Sequence, residues 1–354
     1  MMGAFAHTGW LALAAAGTVA FSVLMYVLLD GTDLGVGILF IGEGDARRRE
    51  LMIDTILPVW DGNETWIVLG GGGLLALFPL AYSALLTALY PVFFAMLLAL
   101  ILRGVAIEFR EQAAERGRKW WDTVLLTGSV ASAFCQGLLV GALVQGIRTI
   151  DGIYAGGRWD WLTPFTMFCG AALVAGYGWL GACWLVWRTE GELQKRARRI
   201  GVVLGAATAF STAAVSIWTL QLNGSYARRW LADLNGAALP LAVAMFLLLA
   251  ACFAVAVARR RPFAALIVAL GWFVVALACM VFTLVPVILP PSMTIEAASS
   301  PPATQAFVLS GCAVLVPAIL IYSTLAFWVF RGRVTSGDDG DSHRATRRRS
   351  RTQI

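Results

Sequence analysis

Histidine is nearly missing from this chain. Of 354 residues only His7 and His343 are histidine, one near each end. Transmembrane haem is held by axial His, Met or Cys, so apolar runs without a histidine argue against a haem protein in its own right. Charge is also scarce, at 14% of residues against 59% hydrophobic. Soluble domains are about one quarter charged, so the composition excludes a soluble fold and indicates a polytopic membrane protein. The cysteines are Cys135, Cys169, Cys183, Cys252, Cys279 and Cys312; each lies inside an apolar run, and no two form a C-x-x-C pair. That removes the common zinc and redox motifs and leaves small buried hydrophobes. No Lys or Arg precedes the first apolar run. That run is also too long for a signal core, so a retained transmembrane helix is expected rather than a cleaved leader. The net charge of +6 falls in short clusters between apolar runs, a distribution that offers no surface for nucleic acid.

What is present is a series of apolar runs, each able to cross a bilayer with about 20 residues. They predict nine helices, near 9–40, 54–78, 80–106, 121–146, 162–187, 200–221, 238–258, 262–289 and 306–330. Basic residues collect in alternate connections: Arg47, Arg48 and Arg49; Arg110, Arg116, Arg118 and Lys119; Arg188, Lys195, Arg196, Arg198 and Arg199; Arg259, Arg260 and Arg261. The other connections hold only Arg148, Arg158, Arg228 and Arg229. By the positive-inside rule the N-terminus is expected outside and the C-terminus, with its basic tail, in the cytoplasm. The tail ends in TRRRSRTQI and reads as disordered.

The acids are placed unevenly. Asp30 and Asp33 sit in the first predicted span, Asp54, Asp61 and Glu64 in the second, and Glu108 ends the third. The last five spans hold no Asp or Glu. Carboxylates at membrane depth cost roughly 2.5–3.5 kcal/mol each on insertion scales, and they persist where they have partners or a task. Asp30 and Asp33, like Asp61 and Glu64, are three apart and share a helix face. Asp54 and Asp61 are two turns, roughly 10 Å, apart. Asp54, Asp61, Glu64 and Thr65 could thus line a polar track. The plainer reading is that Asp30-Gly31-Thr32-Asp33 and Asp61-Gly62-Asn63-Glu64 are kinks, or that the acids pair with Arg103. Several acids confined to one leaflet and one bundle favour function. Gly70 to Gly73 lacks the Lys-Ser/Thr of a phosphate loop and suggests close helix packing. Gln136 and Gln145 suit interhelical hydrogen bonds.

From the residues alone three readings stand: a proton-handling subunit of an energy-converting complex, a proton-coupled secondary transporter, or an assembly scaffold. A transporter of repeated halves would show matching broken helices, and the Asp-Gly interruptions have no counterpart later in the chain.

Specific motifs then accumulate: DGTDLGVGILF at 30–40, LPVWDGNETW at 57–66, FPLAYSALLTALY at 78–90, RGVAIEFR at 103–110, DWLTPF at 160–165 and TEGELQ at 189–194. Together they resemble subunit II of the cytochrome bd quinol oxidases, with the cyanide-insensitive branch most similar. The resemblance implies an all-α polytopic protein of the bacterial cytoplasmic membrane, with two four-helix bundles at 1–150 and 151–290, a peripheral ninth helix at 291–331 and a basic tail at 332–354. It implies a partner, subunit I, which carries two haems b and one haem d and oxidises quinol while oxygen is reduced to water. No cofactor is expected directly on this chain, although the family admits a structural quinone. A small single-helix accessory subunit and membrane lipids complete the implied partners.

No catalytic residue is implied on this chain. The family's proton path at the subunit boundary maps onto Asp61 of WDGN and Glu108 of RGVAIEFR, followed by Asp30, Asp33 and Glu64. Some members carry Asp at the Glu108 position and Lys where this chain has Gln112. An oxygen route in the family passes an aromatic that matches Trp66, which becomes an expected tunnel wall.

Overall fold

The computed structural model describes residues 9–232, 236–330 and 332–334. His7, His343 and most of the basic tail lie outside the described residues. The long helices are α1 (Trp10–Ile38), α3 (Trp60–Leu77), α4 (Pro79–Gln112), α5 (Glu115–Gln145), α6 (Pro164–Arg188), α7 (Gly191–Leu222), α9 (Ala238–Ala258), α10 (Pro262–Leu284) and α12 (Pro302–Val329). Shorter helices α2 (Ala46–Ile56), α8 (Gly224–Ala232) and α11 (Ile295–Ala298) lie between them. Among the described residues, eight helices are long and apolar enough to cross a membrane. The long helix outside that set is α3, whose first turns hold Asp61, Asn63 and Glu64.

Two small antiparallel hairpins occupy connections. In one, β1 (Thr149–Ile150) pairs with β2 (Ile153–Tyr154) in the register Thr149 to Tyr154; in the other, β3 (Val287–Leu289) pairs with β4 (Met293–Thr294). The Ile147 N–H donates to the Pro290 carbonyl at 2.7 Å, and the Ser300 N–H to that of Leu77 at 2.9 Å, so both hairpins share the end of the molecule where α3 finishes. The opposite end, here the basic end, carries α2 and the arginine clusters.

Two expectations are corrected. The run at 54–78 is not one helix. Pro58 has no N–H to donate and its ring collides with the preceding turn, so α2 stops at Ile56 and α3 begins at Trp60. Asp54 therefore belongs to α2, and the proposed stripe from Asp54 to Asp61 is broken. The run at 262–289 ends as a helix at Leu284, because Val285 precedes Pro286 and is driven to extended backbone; Val285 has φ −57° and ψ 135°.

Helix α1 runs without interruption through Asp30-Gly31-Thr32-Asp33. Its glycines serve close approach. A Cβ on Gly35 would collide with the Tyr177 carbonyl oxygen and stand 2.7 Å from the Gly181 nitrogen, while one on Gly31 would stand 2.7 Å from the Tyr177 ring. Helices α1 and α6 thus meet backbone to backbone, the small-residue contact that drives association where the solvent is lipid. Gly181→Val inserts side-chain atoms against the Gly35 backbone. Overpacking of this kind costs about 1–3 kcal/mol or more, and the purified protein is expected to melt several degrees lower in detergent; an unchanged melt would show that α1 and α6 part freely.

The glycine run of α3 is only partly a packing device. Gly70 and Gly73 face α1 at ordinary contact distance, near Ser22 and Val19, whereas Gly71 and Gly72 have nothing within 4 Å. Helix α12 packs across α1 and α3, and its end returns to α6: the Val334 N–H donates to the Arg188 carbonyl at 2.9 Å, and Arg333 pairs with Glu190 at 2.6 Å.

Candidate functional site

Three helices converge on one guanidinium. Arg103 of α4 is fully buried, and its Nη1 donates to Asp30 Oδ1 of α1 at 2.7 Å and to Glu64 Oε1 of α3 at 3.2 Å. One turn along α1, Asp33 accepts from Asn63 Nδ2 of α3 at 2.7 Å. Asp30 and Asp33 are both buried, and Glu64 keeps 27% of its side chain exposed. One cation therefore faces three carboxyls, with Glu64 at the mouth. Arg103 Nε and Nη2 have no hydrogen-bond partner among the described residues, nor has Asp30 Oδ2. A guanidinium offers five N–H donors in a fixed fork, so this one retains donors for water or for a group that carries protons.

Behind the ion cluster runs a chain of neutral polar groups. The Tyr26 hydroxyl lies against Asp30, one turn before it on α1. Gln136 Nε2 of α5 donates to that hydroxyl at 2.8 Å and to Ser132 Oγ at 3.0 Å. The Tyr177 hydroxyl of α6 donates to Gln136 Oε1 at 2.8 Å. The interhelical role expected for Gln136 is present, and its partners tie the cluster to α5 and α6. Gln145 accepts from the Thr163 hydroxyl at 2.7 Å, which links the end of α5 to the start of α6.

The remaining candidates stand apart from the cluster. Asp61 and Glu108 are exposed on the surface of the chain. Asp61 belongs to a row of exposed residues along α3 with Thr65, Val68, Gly71, Gly72 and Leu75, spaced as one helix face. A Cβ on Gly104 would stand 3.2 Å from the Trp60 ring, so the start of α3 sits against α4 one turn before Glu108. The Asp61–Glu64 pair, three residues apart, is thus divided: Glu64 leans inward to Arg103 and Asp61 faces out. Trp66 is fully buried with its ring edge-on to Phe21 at 5.7 Å, and its Nε1 has no hydrogen-bond partner among the described residues.

Sequence reasoning missed a second cluster, at the basic end. Asp122 of α5 is buried and accepts from Arg49 Nη1 of α2 at 3.0 Å and from Arg110 Nε of α4. Glu43, only 1% exposed, pairs with Arg48 at 3.0 Å and with Arg196 of α7 at 3.5 Å. These acids sit in polar stretches at the ends of apolar runs, so no hydropathy signal sets them apart. Their one trace was the density of arginine around them.

The apolar spans, with ionisable groups buried among the helices of the first half, define a multi-pass membrane protein. The chain belongs to the cytochrome bd terminal oxidase subunit II family, whose model matches residues 11–330. It is similar to the cytochrome bd-I ubiquinol oxidase subunit 2 of Escherichia coli K12, at 29% identity over 88% of this chain and 92% of that one. It is also similar to the cytochrome bd ubiquinol oxidase subunit 2 of Bacillus subtilis, at 36% identity over 54% of this chain and 60% of that one. The bd oxidase structure from Geobacillus thermodenitrificans shares the fold, with a TM-score of 0.75 over 91% of this chain and 99% of that chain at 15% identity. Family membership leaves the transporter alternative without support.

The family implies haem in the complex. The histidine that most often ligates it occurs in this chain only as His7 and His343, and the described residues contain no group of three His, Cys, Asp or Glu that could hold a metal ion. Among the described residues there is no histidine to serve as an axial haem ligand.

Proposed function

We propose that this chain is the haem-free subunit II of a quinol oxidase, that it holds subunit I through the exposed faces of α3 and α4, and that it passes cytoplasmic protons toward the oxygen chemistry in that partner. The carrying observation is the placement of the acids. Asp61 and Glu108 lie on faces that this chain leaves open, beside a buried cluster that already has its own cation. An acid exposed on an apolar helix face is costly in lipid and is relieved by a polar partner subunit. Gly71 and Gly72, open on the same face, leave room for another helix to approach.

In this reading α3 is a ninth span, the arginine-rich end is cytoplasmic, and residues 1–150 and 151–290 form two bundles with α12 peripheral to them. Asp61 and Glu108 take up protons at the subunit boundary, and Glu64 exchanges them with the Arg103 cluster. One guanidinium among three carboxyls leaves the cluster with more acids than cations, the arrangement a relay would use. Trp66 walls the oxygen route. The two haems b and the haem d of subunit I supply the electron transfer and oxygen activation when bound there; a structural quinone and a single-helix accessory subunit complete the assembly. The names of the relatives support ubiquinol as the class of reductant.

The test is affinity purification of this chain from mildly solubilised membranes, followed by a visible difference spectrum and oxygen uptake with a reduced quinone. Co-purification of a larger haem-bearing chain with quinol-dependent oxygen uptake is expected. Recovery of the chain alone and haem-free, from membranes that express the partner, would overturn the proposal.

A further inference from the structure

The basic ends of α6, α7, α9 and α10 enclose a groove that none of the acid-cluster residues lines. Its floor is apolar, with Cys183 and Ala182 from α6 and Phe253 and Ala256 from α9, and its rim carries Arg198, Arg260 and Arg261. Arg198 is half-buried and the other two are exposed. None of the three side chains has a hydrogen-bond or ion-pair partner among the described residues, whereas Glu43, Asp122 and Glu190 hold Arg48, Arg110 and Arg333.

Two further observations bear on the groove. Arg260 has φ +52°, a left-handed conformation that suits glycine and is strained for a long side chain. It closes α9 in the manner of a helix-terminating turn, with the Arg260 N–H donating to the Val257 carbonyl at 3.1 Å and the Arg261 N–H to that of Ala256 at 2.9 Å. Glycine would close the turn without strain, so the arginine is held there at a conformational cost, on the rim of the groove. Second, the neighbouring surface is aromatic. The Trp187 and Phe263 rings pack tilted to one another with centroids 5.3 Å apart, and the Arg188 guanidinium lies over the Trp184 and Trp187 rings at 5.5 and 5.6 Å. Such belts mark the membrane–water boundary, where a groove of this kind meets lipid headgroups.

We infer that Arg198, Arg260 and Arg261 form a binding site for the phosphodiester headgroup of an anionic phospholipid, with its acyl chains running along α9. The charge is complementary and the guanidinium fork matches phosphate oxygens. The apolar floor offers a contact that an acyl chain would use and a free ion would not. Basic pockets between membrane helices recognise lipid headgroups through this combination.

The test is native mass spectrometry of the complex extracted in mild detergent and incubated with phosphatidylglycerol, phosphatidylcholine or inorganic phosphate. Phosphatidylglycerol is expected to remain bound, phosphatidylcholine to be lost, and millimolar inorganic phosphate to leave the lipid in place. Arg260→Gly suits the left-handed turn, so the fold is retained while one guanidinium is removed; retention should fall about fivefold. Removing all three arginines as Gln should abolish it, while Arg116→Gln with Lys119→Gln, which also removes charge from the basic end, should leave it unchanged. Equal retention of both lipids, wild-type retention in Arg260→Gly, displacement by inorganic phosphate, or equal loss in the Arg116 and Lys119 variant would each overturn the site. If the triple variant fails to assemble, Arg260→Gly decides the question alone.

Discussion

Arg103→Met is expected to reduce the assembled complex to below about a tenth of the wild-type amount on a native gel. Arg103 is fully buried and is the cation that joins α1, α3 and α4 through Asp30 and Glu64. Removing one partner of a buried ion pair costs about 3–5 kcal/mol, because the remaining charge is left uncompensated. The loss is especially severe for α3, whose first turn is too polar to remain in lipid without these contacts. Arg103→Lys should recover part of the complex, since the charge survives and the planar fork does not. Arg103→Met combined with Asp30→Asn and Glu64→Gln should recover more, because replacing a whole buried ion cluster by neutral groups is often close to neutral in energy. Wild-type amounts of the single Arg103→Met variant would mean that the cluster holds nothing together.

Asp61→Asn is expected to behave in the opposite way, assembling normally with unchanged haem absorbance while quinol oxidase turnover falls at least about tenfold. Asn keeps the shape of Asp and most of its hydrogen bonding, but it cannot take up and release a proton. Asp61 is exposed on the chain and makes no ion pair with Arg103, so the helix contacts of the cluster do not rest on its charge. Positioned proton-transfer groups contribute roughly 10²–10⁴-fold to the steps they serve, and parallel routes through Glu108 would soften that loss. Haem lost together with turnover would assign Asp61 a structural role in joining the subunits.

These two residues show what could be read along the chain and what could not. The apolar runs located the long helices, and 238–258 matches α9 at both ends. Helix α7 starts at Gly191, well before the predicted 200, because its charged first turns lie beyond the apolar stretch that hydropathy detects. Pro58 broke the second run, a local rule outweighed at first by the continuity of apolar residues around it. The acids themselves were conspicuous by burial cost alone. Their partners were not: Arg103 is 73 residues from Asp30 and 39 from Glu64, and only packing brings them together. Spacing placed Asp61 and Glu64 on one face, yet positions three apart differ by about 60° around a helix. That angle is enough to turn one inward and the other toward a partner. Glu43 and Asp122 show the limit in the other direction, since buried acids near helix ends resemble ordinary loop charges in sequence.

The central claim is that carboxyls of this chain deliver protons to oxygen reduction in subunit I. Time-resolved proton uptake, read with a pH-sensitive dye as the fully reduced complex meets oxygen, tests it most directly. In the wild-type complex, uptake should keep pace with the disappearance of the oxygen-bound species. In Asp61→Asn, and to a smaller extent in Glu108→Gln, uptake should lag by about tenfold or more while oxygen binding proceeds at the wild-type rate. Wild-type proton uptake in both variants would contradict the account and leave these acids as contacts between subunits.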